Sequence, residues 1–204
     1  MSGGISVIIT SYNQRGLLHE ALESVLGQTL PAKEVIVVDD ASSDGSQELI
    51  SDYCGRFPEV IRPIYHERNS GVSVARNDGF SVADGEYVTY LDGDDRFLPE
   101  KLETEVGCLS AKPDADVAFS NYFYTDPTGS SLHLWADGEV PPQGNVFGAL
   151  FARDFPRRNL FRNELVRAEA WRRTGGYDPR LTLYEDYDLR ILLAKHSPVV
   201  YTGK

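Results

Sequence analysis

Apolar residues fall along this chain in two alternating rhythms. Ile5–Thr10 (ISVIIT) and Val35–Val38 (VIVV) are β-branched runs without a polar face, the pattern of strands covered on both sides in a parallel sheet. Between them Leu18, Leu22, Val25 and Leu26 recur at helical spacing and complete a strand–helix–strand unit. A Ser/Asp/Gly turn follows at 41–46 (ASSDGS), then a helix ending near Gly55, a short strand over Ile61–His66 and a helix over Ser73–Ala83. Tyr87–Leu91 reads as a fourth strand, Pro99 opens a helix where its missing N–H is harmless, and Val117–Tyr124 reads as a fifth strand. From Thr125 to Asn145 the chain is rich in Gly, Pro and Asp and predicts no regular element. The alternation predicts an α/β fold: a single domain with a mainly parallel central sheet flanked by helices, carrying an irregular insert that faces substrate.

Composition narrows the function. With 204 residues the chain can bury a sizeable core. Its formal charge of -11 lacks the excess of Lys and Arg that phosphate neutralisation demands, so no nucleic-acid partner is expected. Cys54 and Cys108 lie in segments that read as helix and show no metal or disulfide spacing, which suggests free thiols in a reducing compartment. Met1-Ser2-Gly3-Gly4 lacks the basic and apolar regions of a leader, and no run reaches the roughly 18 apolar residues of a spanning helix, so a cytoplasmic protein is expected. One stretch breaks the acidic balance. Phe151 to Arg173 holds Arg153, Arg157, Arg158, Arg162, Arg167, Arg172 and Arg173 against Asp154, Glu164 and Glu169, with Phe151, Phe155, Phe161 and Trp171 interleaved. It reads either as a solvated, salt-bridged face or as a patch for an anionic acceptor or lipid headgroup, with peripheral contact at the inner membrane face through Arg153–Arg173.

Parallel sheets bind ligands beyond the carboxyl ends of their strands. The residues there are Thr10-Ser11-Tyr12-Asn13 after the first strand, Asp39-Asp40 after the second and Asp92-Gly93-Asp94-Asp95 after the fourth. At an effective dielectric of about 20, two carboxylates about 5 Å apart repel by roughly 3 kcal/mol, so such a triplet either spreads into water or recruits a cation. Oxygen donors without nearby Cys or His suit Mg²⁺ or Mn²⁺. A calcium-binding EF-hand loop does not fit. Counted from Asp92 the sixth position is Phe97 where Gly is required, and counted from Asp40 the twelfth is Ser51 where Glu is required.

Five segments, SVIITSYN, VIVVDDASSDGS, NSGVSVARNDG, GEYVTYLDGDD and GGYDPRLTLYEDYDLRILLA, together resemble the family-2 glycosyltransferases of the GT-A fold. The resemblance implies inverting, metal-dependent transfer of a sugar from a nucleoside diphosphate sugar to the hydroxyl of a sugar or lipid-linked acceptor, in surface polysaccharide or glycoconjugate synthesis. It further implies that residues 1–97 form the donor-binding half and 98–204 the acceptor-binding half. By motif position Thr10, Tyr12 and Asp40 hold the base, with Asn13 beside them, and Arg76 approaches the donor. Asp92 and Asp94 form an Asp-x-Asp motif around Gly93, Asp94 as direct ligand of Mn²⁺ or Mg²⁺ and Asp92 shared with the ribose. Asp186 matches the catalytic base, with Glu185 orienting a neighbour or touching the acceptor. A carboxylate such as Asp40 can accept the imide N–H of uracil, which favours a uridine-type donor. No Gln-x-x-Arg-Trp motif follows, unlike the processive, membrane-embedded branch, and the sequence stops at Lys204 where many members continue. Two other readings stay open. A sugar nucleotidyltransferase would show a Gly-rich, Arg-containing loop where SYNQRG stands, and a catalytically silent nucleotide-sugar-binding module would keep the aspartates only loosely.

Overall fold

The computed structural model describes residues 3–126 and 129–204; Met1 and Ser2, and Pro127 and Thr128 within the expected irregular insert, lie outside the described residues. In chain order the first half runs Ile5–Ser11 (β1), Arg15–Leu26 (α1), Glu34–Asp39 (β2), Ser46–Arg56 (α2), Ile61–Tyr65 (β3), Val72–Ser81 (α3) and Tyr87–Asp92 (β4). The second runs Lys101–Ala111 (α4), Val117–Phe119 (β5), Phe123–Thr125 (β6), Ser131–Leu134 (β7), Phe147–Ala152 (α5), Leu165–Arg167 (β8), Ala168–Thr174 (α6), Glu185–His196 (α7) and Val199–Tyr201 (β9), with a 3-10 turn at Pro156–Arg158. Seven strands build one sheet in the order β3-β2-β1-β4-β8-β5-β9. It is parallel except for β8, which runs antiparallel to β4 and to β5.

Both faces of the sheet are covered, as the uninterrupted apolar runs require. Successive strand side chains point to opposite sides. Ile8, Ile36, Val38, Val88 and Tyr90 meet Ala75, Phe80, Leu189 and Leu193 of α3 and α7. Val7, Ile9, Val35, Val37 and Leu91 meet Leu18, Leu22, Ile50, Tyr53 and Leu102 of α1, α2 and α4. Helix α3 lies very close to β1, because a Cβ on Gly79 would stand 2.5 Å from the Ile8 Cγ2 atom. That approach brings Arg76, one turn earlier, to the strand ends.

The second half departs from expectation in two places. The strand expected over Val117–Tyr124 stops at Phe119, because Asn121 turns the chain: its N–H donates to the Lys204 carbonyl at 2.7 Å, and its Oδ1 accepts from the Tyr122 and Ala136 N–H groups at 3.0 and 2.9 Å. The stretch from Thr125 to Asn145, expected to be irregular, contains β7, which pairs with β6 in a second, two-stranded sheet. This hairpin is anchored by Trp135, whose indole N–H donates to the Pro156 and Asn159 carbonyls and whose ring stacks on Tyr122 at 5.1 Å.

The arginine-rich stretch does not form one patch. Arg173 and Arg167 are both drawn to Asp116, at 2.6 and 3.8 Å, and Arg167 also to Glu86 at 3.5 Å. Arg162 lies over the Tyr122 ring. Arg153 lies over Tyr184 and Tyr187, while Arg157 and Arg158 stand exposed on the 3-10 turn. Both cysteines are free and half-buried in α2 and α4, and burial pushes both thiols up. Among the described residues no helix is long and apolar enough to cross a membrane.

Candidate active site

The chain enters β1 in the middle of the sheet and then winds first toward β2 and later toward β4, so the connections diverge between β1 and β4. Register brings Thr10 opposite Asp92 and Ser11 opposite Asp39. A cleft of about 520 Å³ opens at these strand ends, and Thr10, Tyr12, Asp40, Arg76, Asp92, Asp94 and Glu185 all line it. Gln14, Asn69 and Gly71 complete its polar wall.

Asp40 is buried and already engaged. Its Oδ1 accepts from the Ser70 N–H at 2.8 Å and faces His66 Nδ1 at 2.7 Å, and its Oδ2 accepts from the Gly71 N–H at 2.8 Å. His66 in turn contacts Asp78 through Nε2 at 3.1 Å, which ties the loop before α3 to that helix. A carboxylate oxygen has two lone pairs, so Oδ2 retains one acceptor direction toward the cleft. Tyr12 is half-exposed on the opposite wall.

Arg76 is only 5 % exposed. Its Nη2 donates to Asp92 Oδ1 at 2.7 Å, its Nη1 lies 3.5 Å from Glu185 Oε1, and its guanidinium stacks over the Tyr90 and Tyr177 rings at 4.4 and 5.2 Å. Burial works against its charge, but Asp92 and the two tyrosines outweigh burial and hold it protonated. Nε and Nη1 nonetheless find no hydrogen-bond acceptor among the described residues. Buried donors of this kind are costly unless a ligand completes them.

Asp186 and Glu185 open α7 after Tyr184, whose backbone is left-handed at φ 66. Their side chains diverge, as adjacent helical positions must. Glu185 turns to Arg76 and the cleft, and Asp186 pairs with Arg190 one turn on while its Oδ1 accepts the Tyr187 N–H at 2.8 Å. Burial raises the Asp186 pKa, but attraction and hydrogen bonding from Arg190, with help from Arg76, more than cancel this and hold it below the ordinary aspartate value.

Two residues expected at the donor are not on the cleft wall. Asn13 adopts φ 54 and clasps the neighbouring loop, its N–H donating to Ser42 Oγ and its Oδ1 accepting from the Ser43 N–H, each at 2.8 Å. Gly93 is buried beneath the wall: its N–H donates to the Thr10 carbonyl at 2.9 Å, and a Cβ there would meet that same oxygen at 3.0 Å. Its lack of a side chain lets the Asp92–Asp94 segment fold over β1. Conversely, Tyr90, Glu164, Tyr177 and Arg190, none singled out by sequence motif, surround the site from below.

Asp92 and Asp94 share the cleft wall with nothing softer than oxygen, whereas no group of three His, Cys, Asp or Glu among the described residues is arranged to hold a metal by itself. This donor set fits Mg²⁺ or Mn²⁺, which use one or two carboxylates and complete their shells with water and substrate phosphate. The crowding is real. Asp95 is pushed up, first by burial and then by the charges of Asp92 and Asp94, a penalty that a divalent cation would relieve.

A mainly parallel α/β sheet with an acidic cleft at its strand ends defines a GT-A-type fold. The family described as Glycosyl transferase family 2 matches residues 6–171, and the chain belongs to that family. Glu185 and Asp186 lie beyond the matched span. The putative teichuronic acid biosynthesis glycosyltransferase TuaG of Bacillus subtilis is 38% identical over 128 residues, 63% of this chain and 50% of TuaG. The crystal structure of Staphylococcus aureus TarS 1–349 in complex with UDP-GlcNAc superposes over 100% of this chain and 59% of its own, with a TM-score of 0.75 at 23% identity. The mannosyltransferase PcManGT of Pyrobaculum calidifontis, in complex with GDP-Man and Mn²⁺, covers 100% and 56% with a TM-score of 0.73 at 19% identity. The chain spans about half the length of the curated relatives it matches.

Proposed function

We propose that this chain is the catalytic unit of an inverting, metal-dependent glycosyltransferase that moves a sugar from a nucleoside diphosphate sugar, uridine-type by preference, to a hydroxyl of a sugar or lipid-linked acceptor in glycoconjugate synthesis. The observation that carries this reading is Arg76, a buried cation on the cleft wall held between Asp92 and Glu185, beside the exposed Asp94 carboxylate. A diphosphate in the cleft places its negative charge beside this cation. The solved complexes of TarS with UDP-GlcNAc and of PcManGT with GDP-Man and Mn²⁺ support the donor class and the ion.

In this reading the half up to residue 97 holds the donor and the half from 98 onward receives the acceptor. Asp94, exposed and accepting no hydrogen bond from the described residues, holds the divalent ion with Asp92. Such an ion, when bound, neutralises charge developing on the leaving diphosphate. Arg76 donates to the same phosphates, an interaction that strengthens as the bond from the sugar to its phosphate oxygen breaks. The acceptor oxygen forms the new bond to the sugar carbon from the opposite face, and its proton passes to Asp186. The leaving oxygen keeps the electron pair of the broken bond, so the sugar carbon inverts.

The remaining lone pair on Asp40 Oδ2 matches one imide N–H, as in uracil or thymine. Guanine offers two N–H groups side by side and is second choice, and the bare ring nitrogen of cytosine offers none. A thermal-shift series with Mn²⁺ tests this: UDP- and dTDP-sugars should raise the melting temperature most, GDP-sugars less and CDP-sugars least. Equal shifts with a CDP-sugar would show that Asp40 does not read the base.

Arg153, Arg157 and Arg158 are exposed and make no ion pair among the described residues, so the membrane-contact reading is tested first on this segment. Retention on anionic-lipid vesicles at low salt, lost when all three become Gln, is the expected outcome. Full retention by the triple variant removes that contact.

A further inference from the structure

Two of the most buried charges in the molecule belong to neither the expected donor contacts nor the metal ligands. Arg190 on α7 is 1% exposed and Glu164, just before β8, is 2% exposed. The Arg190 Nη2 and Nε donate to Glu164 Oε2 at 3.1 and 3.3 Å, Nη2 donates to the Tyr90 hydroxyl at 2.7 Å, and Phe161 covers the guanidinium face at 5.4 Å. For neutrality the pair is complete. Yet Nη1 also donates to Asp186, one helical turn earlier on the same face.

That third partner is surplus to a structural ion pair. Asp186 is 39% exposed through its side chain and could be solvated by water, so packing does not force it onto the guanidinium. We propose that Arg190, with Glu164 as its fixed counter-ion, is a positioning residue: it holds Asp186 in one orientation and allows that carboxylate to take up a proton without stranding a buried cation. The inference rests on reading Asp186 as the proton acceptor. An isolated guanidinium in this interior would carry a large desolvation cost. If Asp186 were its only anion, protonating Asp186 would incur that cost at each turnover. Glu164 removes it, since the Arg190–Glu164 pair stays neutral before and after.

The other groups around the pair leave this balance intact. Tyr90 from β4 and Tyr177 from the loop before α7 are neutral, and burial drives both hydroxyls up, Tyr90 to about 12. Arg162 repels Arg190, and Arg76 on α3 attracts Asp186. Arg76 has its own pair of carboxylates, Asp92 and Glu185. Each buried arginine therefore has two carboxylates, and Tyr90 joins the two groups, its hydroxyl on Arg190 and its ring on Arg76.

The test uses the whole chain with UDP-N-acetylglucosamine, Mn²⁺ and water as acceptor, following release of UDP, in a double-mutant cycle. Arg190→Lys and Glu164→Gln should each lower kcat about 10-fold to 100-fold while leaving donor KM within about 2-fold. In an Asp186→Asn background neither substitution should lower kcat further, because each acts through Asp186. A merely structural role predicts equal losses in both backgrounds, or a loss of melting temperature and donor affinity instead, and either result overturns the proposal. Undiminished kcat in Glu164→Gln overturns the counter-ion part, a variant that serves even if Arg190→Lys does not fold. Undiminished kcat in Asp186→Asn identifies a different failure, that of the proton-acceptor reading itself.

Discussion

Asp186→Asn is expected to lower kcat by about 10²-fold to 10⁴-fold while changing donor affinity only a few-fold. A carboxamide keeps the shape and one acceptor oxygen of the side chain but cannot take up the acceptor proton. Burial works against the Asp186 charge, but Arg190 outweighs it and holds the carboxyl below the ordinary aspartate value, so it is ionised across the neutral range. The acid limb of kcat should consequently lie below the ordinary carboxylate range, with activity falling only as pH drops through that lowered value. Steady-state kinetics paired with calorimetric donor binding separates this from a folding defect. A dead Glu185→Gln enzyme beside an active Asp186→Asn enzyme would transfer the role to Glu185, which faces Arg76 across the cleft. If both variants turn over normally, the base lies elsewhere.

Asp94→Asn is the second large effect expected. The side chain is exposed and accepts no hydrogen bond from the described residues, so its removal should leave melting temperature unchanged without ligands. Donor affinity in the presence of Mn²⁺ should drop about 100-fold, toward the value measured with EDTA. Asp92 does not offer so clean an experiment, because it also neutralises the buried Arg76 at 2.7 Å. Titration of a UDP-sugar with and without Mn²⁺ decides the matter, and an undiminished metal-linked gain in Asp94→Asn rules out Asp94 as the ligand.

How much of this was readable in advance depended on the kind of signal each feature leaves. Strands β1 and β2 are β-branched runs and β4 an aromatic and apolar one, all buried on both faces, and their ends bring Thr10, Asp40 and Asp92 together once the sheet is parallel. Glu185 and Asp186 at the start of α7 follow from the leucines behind them and the glycines and proline ahead. The three-residue β8 has no period to detect, and the β6–β7 hairpin depends on Trp135 packing against residues far along the chain. Asn13 looks like a ligand as a short polar residue after a strand, and the sequence does not show the left-handed backbone and two loop contacts that hold it off the cleft wall. Glu164 passed as one more charge among arginines. Arg190 did leave a trace: it falls on the buried stripe of α7 with Leu189, Leu193 and Ala194, where a charged side chain needs a reason.

The antiparallel strand β8 also protects an edge of the sheet. Until it arrives, β4 is an open edge, with unpaired N–H and C=O groups that any extended segment could occupy. Yet β8 joins β4 over only two residue pairs, Tyr87 with Arg167 and Val88 with Val166, and its partner β5 is equally short. Closing that seam brings together residues about 80 apart in sequence, a separation comparable to that between β1 and β4, and pairs them over much less length. Because Glu164 immediately precedes β8, the anion beside Arg190 is seated by the same short seam that protects the β4 edge, so a substitution that weakens the seam should disturb both.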